Sequence, residues 1–349
     1  MLRNKFSLLC VLLFIIQTSC IKRFDPEIQS TDAVKFVVTG QVNKGDEIQR
    51  VNISTSSPVS NPKLYPVAGC NVKIIDDKGN LYLADDMLNG NYQIFIPQSE
   101  LSVGSSFKVD IFVPGGVNLV SDFDQIHDGP DIDTVYYQVE QLPAEKPSTE
   151  LDGIRFCLDL DATAFTTRYF RWEATETWQY KAKLASSVSG VKVCWSTAPI
   201  KSIYLVSTKN LTQNKYTRFP LHFVDNISSP RLSFGYSLLV RQYAMSEASY
   251  NYWQKIQENS TEQGGLYEKQ PLAIKGNIRN ISDPDQIVLG FFSANTVKSK
   301  RIFVQSVQGL PVLYVDCEPE ADPRVKPDPR CFNCLLSGGT NIKPAFWPF

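Results

Sequence analysis

Residues 169–184 read YFRWEATETWQYKAKL, and they alternate. Phe170, Trp172, Ala174, Trp178 and Tyr180 fall on one side of an extended chain; Arg171, Glu173, Thr175, Thr177, Gln179 and Lys181 fall on the other. A period of two held that long predicts a half-buried strand, with Glu176 the one polar residue on the apolar side. Aromatic side chains so placed are more commonly core than a platform for sugar rings.

Working outward, the same signature recurs in "DTVYYQVEQL", "GIRFCLDLDA", "VKVCW", "SIYLVST", "YTRFPLHFV", "RLSFGYSLLVRQYAM", "IVLGFFSAN" and "RIFVQS". Upstream, "VKFVVTGQV" and "EIQRVNIST" flank an "NKGD" turn. Cys70, Val72 and Ile74 share one strand face, and Asp77-Lys78-Gly79-Asn80 supplies a hairpin turn. The expected fold class is therefore mainly β. A β-sandwich is expected over 34–128 and a second β-rich domain over 129–349. One short helix is predicted near 246–259, with Ser246 as N-cap and Ala248, Tyr252 and Ile256 as its apolar stripe beside Trp253. The boundary falls in "DFDQIHDGPDID", residues 122–133. Asp122, Asp124, Asp128, Asp131 and Asp133 there read as a solvated linker rather than a calcium loop, because the register of a calcium loop is missing.

The N-terminus gives an address. Arg3 and Lys5 precede an apolar run from Phe6 to Ile16, about half of the ~20 residues that a spanning helix needs. Basic start, short apolar core and small Thr18-Ser19 before Cys20 predict a signal peptide over 1–19 and a lipidated Cys20. Residues 20–33 read as a stalk. The body would be held at the outer membrane by lipid, with the cell surface favoured over the periplasmic face.

An exported chain meets an oxidising compartment, so its cysteines are expected to pair. The disulfide candidates are Cys157, Cys194, Cys317, Cys331 and Cys334, with Cys70 a buried free thiol on an apolar face. Cys331 and Cys334 sit in an irregular tail, 316–349, without the strand-to-helix setting of a redox pair. Cys194 is the favoured partner for that tail: Val191, Val193 and Trp195 would take the other face of its strand. Such a bridge would hold Phe346 and Trp347 against the body. No metal site is expected, since only His127 and His222 accompany the sulfurs.

The chain of 349 residues is 43% hydrophobic with a net charge of −1, enough core for two domains and no electrostatic footprint for nucleic acid. Neither a nucleophile elbow, a phosphate loop, a dinucleotide fingerprint nor a paired-histidine zinc helix is present in the sequence. The chain thus reads as non-enzymatic, with no cofactor.

Taken in order, the Cys20 segment, "PVAGCNVKIIDDKGN", "GNYQIFIP", "ASYNYWQKIQENS", "QPLAIKGNIRNISDPDQIVLGFFSAN" and "CFNCLLSGGTNIKPAFW" resemble a Bacteroidota lipoprotein family, domain of unknown function 4249. Residues 66–92, with Pro66-Val67-Ala68-Gly69 and Gly90-Asn91-Tyr92, also resemble the carboxypeptidase-regulatory, transthyretin-like fold, which implies a sandwich for the first domain. Family members are often encoded beside TonB-dependent outer-membrane receptors. The resemblance thus implies an accessory or subunit of an outer-membrane β-barrel complex for transport, secretion or barrel assembly. A stand-alone surface lipoprotein binding glycan or peptide is the other expectation.

Overall fold

The structure, a computed structural model, describes residues 34–57, 63–143, 150–185, 190–227, 229–261, 274–314 and 327–349. The signal segment, stalk and Cys317 lie outside them. The first strands are β1 (Phe36–Lys44), β2 (Ile48–Thr55), β3 (Tyr65–Pro66), β4 (Asn71–Asp76), β5 (Leu81–Leu83), β6 (Asp85–Asp86), β7 (Asn91–Phe95), β8 (Ser106–Val113), β9 (Val117–Ser121) and β10 (Asp124–Gln125). Then come β11 (Thr134–Pro143), β12 (Glu150–Asp161), β13 (Tyr169–Lys181), β14 (Val193–Ser207), β15 (Lys215–Asp225) and β16 (Tyr236–Ala244). Helix α1 (Glu247–Thr261), β17 (Ile278–Asn280) and β18 (Leu289–Val304) follow.

One nine-stranded sheet runs β14-β13-β16-β18-β1-β2-β7-β6, with β3 paired to β2. A six-stranded sheet, β17-β9-β8-β4-β5 with β10 on β8, packs against one half of it. A three-stranded sheet, β11-β12-β15, packs against the other. The period-two patterns create both interfaces. Val38, Ile53, Tyr92 and Ile94 of the long sheet bury against Ile74, Phe107, Val109 and Ile111. Phe170, Trp172, Leu238 and Val240 bury against Ile154, Phe156 and Leu158. The chain is mainly β, as its alternation predicts.

The joint between the halves is β18. Its first part, from Leu289, runs parallel to β1, and its second, from Thr296, runs antiparallel to β16. In sequence this looks like two strands, because Thr296–Lys300 is mostly polar. It stays extended because β16 supplies ladder partners from Val240 to Ala244. Lys298 meets Asp131 at 2.9 Å, and Lys300 donates to the Ile132 carbonyl at 3.3 Å. "VKVCW" and "SIYLVST" fuse likewise into β14, across a bulge opposite Trp172–Ala174. Gly290 is required where β18 meets β1: its φ is +100°, and a Cβ there would lie 1.8 Å from the Val38 carbonyl oxygen.

The expected division at 128/129 is crossed by strand pairing in two places, β18 on β1 and β17 on β9. Residues 34–128 would leave β1 and β9 with open edges, and the distant C-terminal strands cover both. The acidic stretch is woven into that junction. Asp124 accepts from the Ala294 N–H at 2.8 Å, Asp128 from the Thr166 hydroxyl at 3.0 Å, and Asp122 meets Arg279 at 2.7 Å. Each of these three carboxylates has its own protein partner. Among the described residues no group of three or more His, Cys, Asp or Glu is placed to hold a metal ion. No described helix is long and apolar enough to cross a membrane.

The tail is stapled. Cys194 and Cys334 form a disulfide with S–S 2.04 Å and Cα–Cα 5.8 Å, 140 residues apart in sequence. Trp195 and Thr340 exchange backbone hydrogen bonds of 2.8 and 2.9 Å, which covers the edge of β14. Cys331 is disulfide-bonded as well. Val191 was expected on the opposite side of the strand from Cys194, but it packs in the same small cluster, with Tyr180, Ala182 and Cys334. The tail itself builds that cluster. Trp347 is buried beside Phe303, and the Phe346 ring lies against the Arg301 guanidinium, 3.6 Å from its centre. Gly235, at φ +133°, leaves room for it, since a Cβ would sit 2.9 Å from the Trp347 ring.

Among the described residues two cysteines are free and buried, Cys70 and Cys157. Cys70 was expected so. Cys157, expected in a disulfide, is instead a free thiol. It stands on the face of β12 opposite Phe156 and Leu158, while Cys70 lies just before β4, Cys194 on β14, and Cys331 and Cys334 in the tail.

Candidate functional site

The polar face of YFRWEATETWQYK does more than meet solvent. Arg171 and Glu173, on β13, point to the outer face of the long sheet, the face not covered by either smaller sheet. There they join Thr39 and Gln41 of β1, Arg50 and Asn52 of β2, Asn91 and Gln93 of β7, and Phe291 and Ser293 of β18. Each of these alternates with a core residue on its own strand, so one periodicity builds core and site together. The result is a groove of about 680 Å³.

Helix α1 forms its roof. Ser246 caps it, its Oγ accepting from the Ser249 N–H at 3.1 Å. The stripe facing the sheet differs from the expected one. Ala248 is exposed, Ser249 is fully buried, and Trp253 and Ile256 follow at helical spacing. Trp253 and Tyr250 pack on Tyr243, Met245 and Val297. Tyr252 stacks on Phe291, centroids 4.9 Å apart, and turns toward the groove. Sequence spacing placed Tyr252, Trp253 and Ile256 on this helix but not what lies beneath it.

Arg171 ties roof to floor. Its guanidinium lies between two rings, 4.2 Å from the Trp253 centroid and 4.4 Å from that of Tyr243. Its Nη1 donates to Glu173 Oε1 at 2.6 Å, and the Tyr243 hydroxyl donates to Glu173 Oε2 at 2.6 Å. Partial enclosure pushes the Glu173 carboxyl pKa upward. The Arg171 charge, those two hydrogen bonds and the Arg241 charge outweigh it, leaving the pKa below the usual carboxylate value. A smaller cavity of about 180 Å³ adjoins the groove and shares Gln41, Arg50 and Glu173 with it. In it Arg241 is bonded to Asp46 and donates to the Tyr243 hydroxyl at 3.1 Å.

A second polar cluster sits inside the other half, around Glu176. Arg231 donates to both Glu176 oxygens at 3.3 Å and to Asp225 at 3.2 Å, and Tyr236 donates to Glu176 at 2.8 Å. His222 lies 3.8 Å away. Burial lowers the His222 pKa, against the Glu176 charge, so the ring is held neutral. The odd polar residue on the apolar face of β13 is thus compensated by an arginine reaching in.

A chain of two sandwiches sharing one long sheet, with a roofed polar groove on that sheet, defines a β-sandwich protein with a ligand-sized cleft. It belongs to the family described as Domain of unknown function (DUF4249), whose model matches residues 21–301. That span holds every groove residue and ends before Cys334. No curated protein matches the chain.

Proposed function

We propose that the chain is a lipid-anchored outer-membrane protein that holds a ligand in the roofed groove without transforming it, as an accessory of an outer-membrane β-barrel complex. The groove itself carries the reading: about 680 Å³ enclosed by a helix over polar floor side chains is room for a ligand segment. The acid within it, Glu173, is bound by Arg171 and Tyr243 and favours its ionised form, which suits it to position charge rather than donate a proton.

The anchor is the lipid on Cys20, since the apolar run before it is a signal segment rather than a span. The test is affinity purification of the full chain from membranes of its own cells. Co-purification of a β-barrel, such as a TonB-dependent receptor, supports the accessory role. A monomer that comes down alone and binds glycans or peptides supports a stand-alone surface binder. Cys20→Ala should leave the chain unprocessed or soluble, and retention in carbonate-washed membranes at the wild-type level would sink the anchor.

A further inference from the structure

If the groove is a binding site, as proposed above, two of its features name the ligand class. The floor is built on β1, β2 and β7, each paired on both sides, and on the first part of β18, which pairs with β1 on one side while Asn277 and Asp124 side chains take the Phe292 and Ala294 backbone on the other. A peptide that binds by adding a strand needs a free edge. Recognition here falls to side chains instead. The floor offers hydroxyls and amides, from Thr39, Gln41 and Gln93, and the roof offers the ring of Tyr252. Amides that both donate and accept, set against an aromatic surface, complement a sugar ring with its hydroxyl edge and apolar C–H face.

The second feature is unmatched positive charge. Arg171 is only 5% exposed, yet its Nε is buried without a partner and its hydrogen bonding to Glu173 uses Nη1. Arg50, exposed on the floor, makes no side-chain hydrogen bond or ion pair among the described residues. Across the groove and the adjoining cavity, three arginines (Arg50, Arg171, Arg241) face two carboxylates (Glu173, Asp46). One positive charge is left over, and a guanidinium fork pairs best with a planar carboxylate.

We propose that the groove binds an acidic polysaccharide segment of the uronate type, its sugar rings lying along Tyr252 and its carboxylate on Arg50. Arg171 acts from beneath, keeping the floor positive.

Titration calorimetry of the full chain tests this with three probes: a short uronate oligosaccharide, a neutral oligosaccharide of equal length, and oligoglutamate. The uronate should bind about tenfold or more tighter than the neutral sugar and weaken with added salt. Arg50→Gln should cost about tenfold in uronate affinity while the circular dichroism and melting temperature stay unchanged. Neutral sugar bound as well as uronate, or uronate binding indifferent to Arg50→Gln, overturns the proposal. So does oligoglutamate binding tighter than uronate, which would make the ligand a peptide and leave the groove a binding site. Silence toward all three overturns it too, and the accessory role is then decided separately by co-purification.

Discussion

Along its outer face, the nine-stranded sheet is closed at one end and open at the other. Odd-numbered residues of β18 present that face throughout. Phe291 and Ser293 line the groove, while Arg301 and Phe303 lie under the C-terminal aromatics. At the closed end the cover is a stapled tail with Trp347 buried in it. At the open end the cover is one helix, and the floor beneath is polar. A sheet with one face already in a core needs nothing on the other if that face is polar. The closed end covers aromatic residues for stability, and the open end has the composition of a site.

The largest test of this contrast is the staple. Cys194→Ser should lower unfolding free energy by about 4–5 kcal/mol in the chain-entropy model, read by denaturant titration without reductant. A loss under ~1 kcal/mol would mean the tail holds by packing alone. Next, Trp347→Ala should cost about 3 kcal/mol by emptying a packed site over Phe303. Its hydrogen exchange should quicken in β14 and the tail but not in α1. Arg171→Met probes the other end and should cost about 1–2 kcal/mol by removing an ion pair and two ring contacts. Here exchange should quicken in residues 247–261 and leave the tail untouched.

Two titratable groups also differ in their response to acid. His222, on β15 of the three-stranded sheet, has a lowered folded pKa because burial disfavours its charge. As pH falls below about 6.5, the unfolded chain takes up a proton that the folded chain refuses, so stability declines from there. His222→Gln should flatten that step. Glu173, in the open half, also has a lowered folded pKa, but as an acid. Its contribution is complete above its unfolded pKa of about 4.3 and is lost as pH falls through the folded value. Glu173→Gln should flatten only that lower limb. Melting temperature against pH separates the two. The smallest expected effect is Arg50→Gln, whose stability should stay within about 0.5 kcal/mol of wild type, since the side chain is exposed and unpaired.

Much of the closed end was legible in sequence. Alternation in 169–184 divided β13 correctly, and the expected bridge from the tail to Cys194 is present, although Val191 lies on the same side as Cys194 rather than opposite it. The open end was not legible, for a physical reason. Arg171 and Glu173 read as a solvated strand face, because period two says which residues leave the core but not what meets them outside. Arg50, Gln41 and Gln93 carry the same ambiguity, each a polar residue alternating with a core one. Only the parallel pairing of β1 with β18, more than two hundred residues away, lays these side chains on one floor. The same pairing crosses the expected boundary at 128/129, and a strand edge gives no local sign of its distant partner.

Hydroxyl-radical footprinting of Trp253 and Trp347, in the wild-type chain and in Cys194→Ser, tests most directly whether the two ends of the face are separately covered. Trp347 should be protected in the wild type and oxidise severalfold faster once the staple is gone, while Trp253, on the sheet-facing side of α1, should react at the same rate in both. Trp347 reactive from the start, or both tryptophans rising together, would contradict that separation.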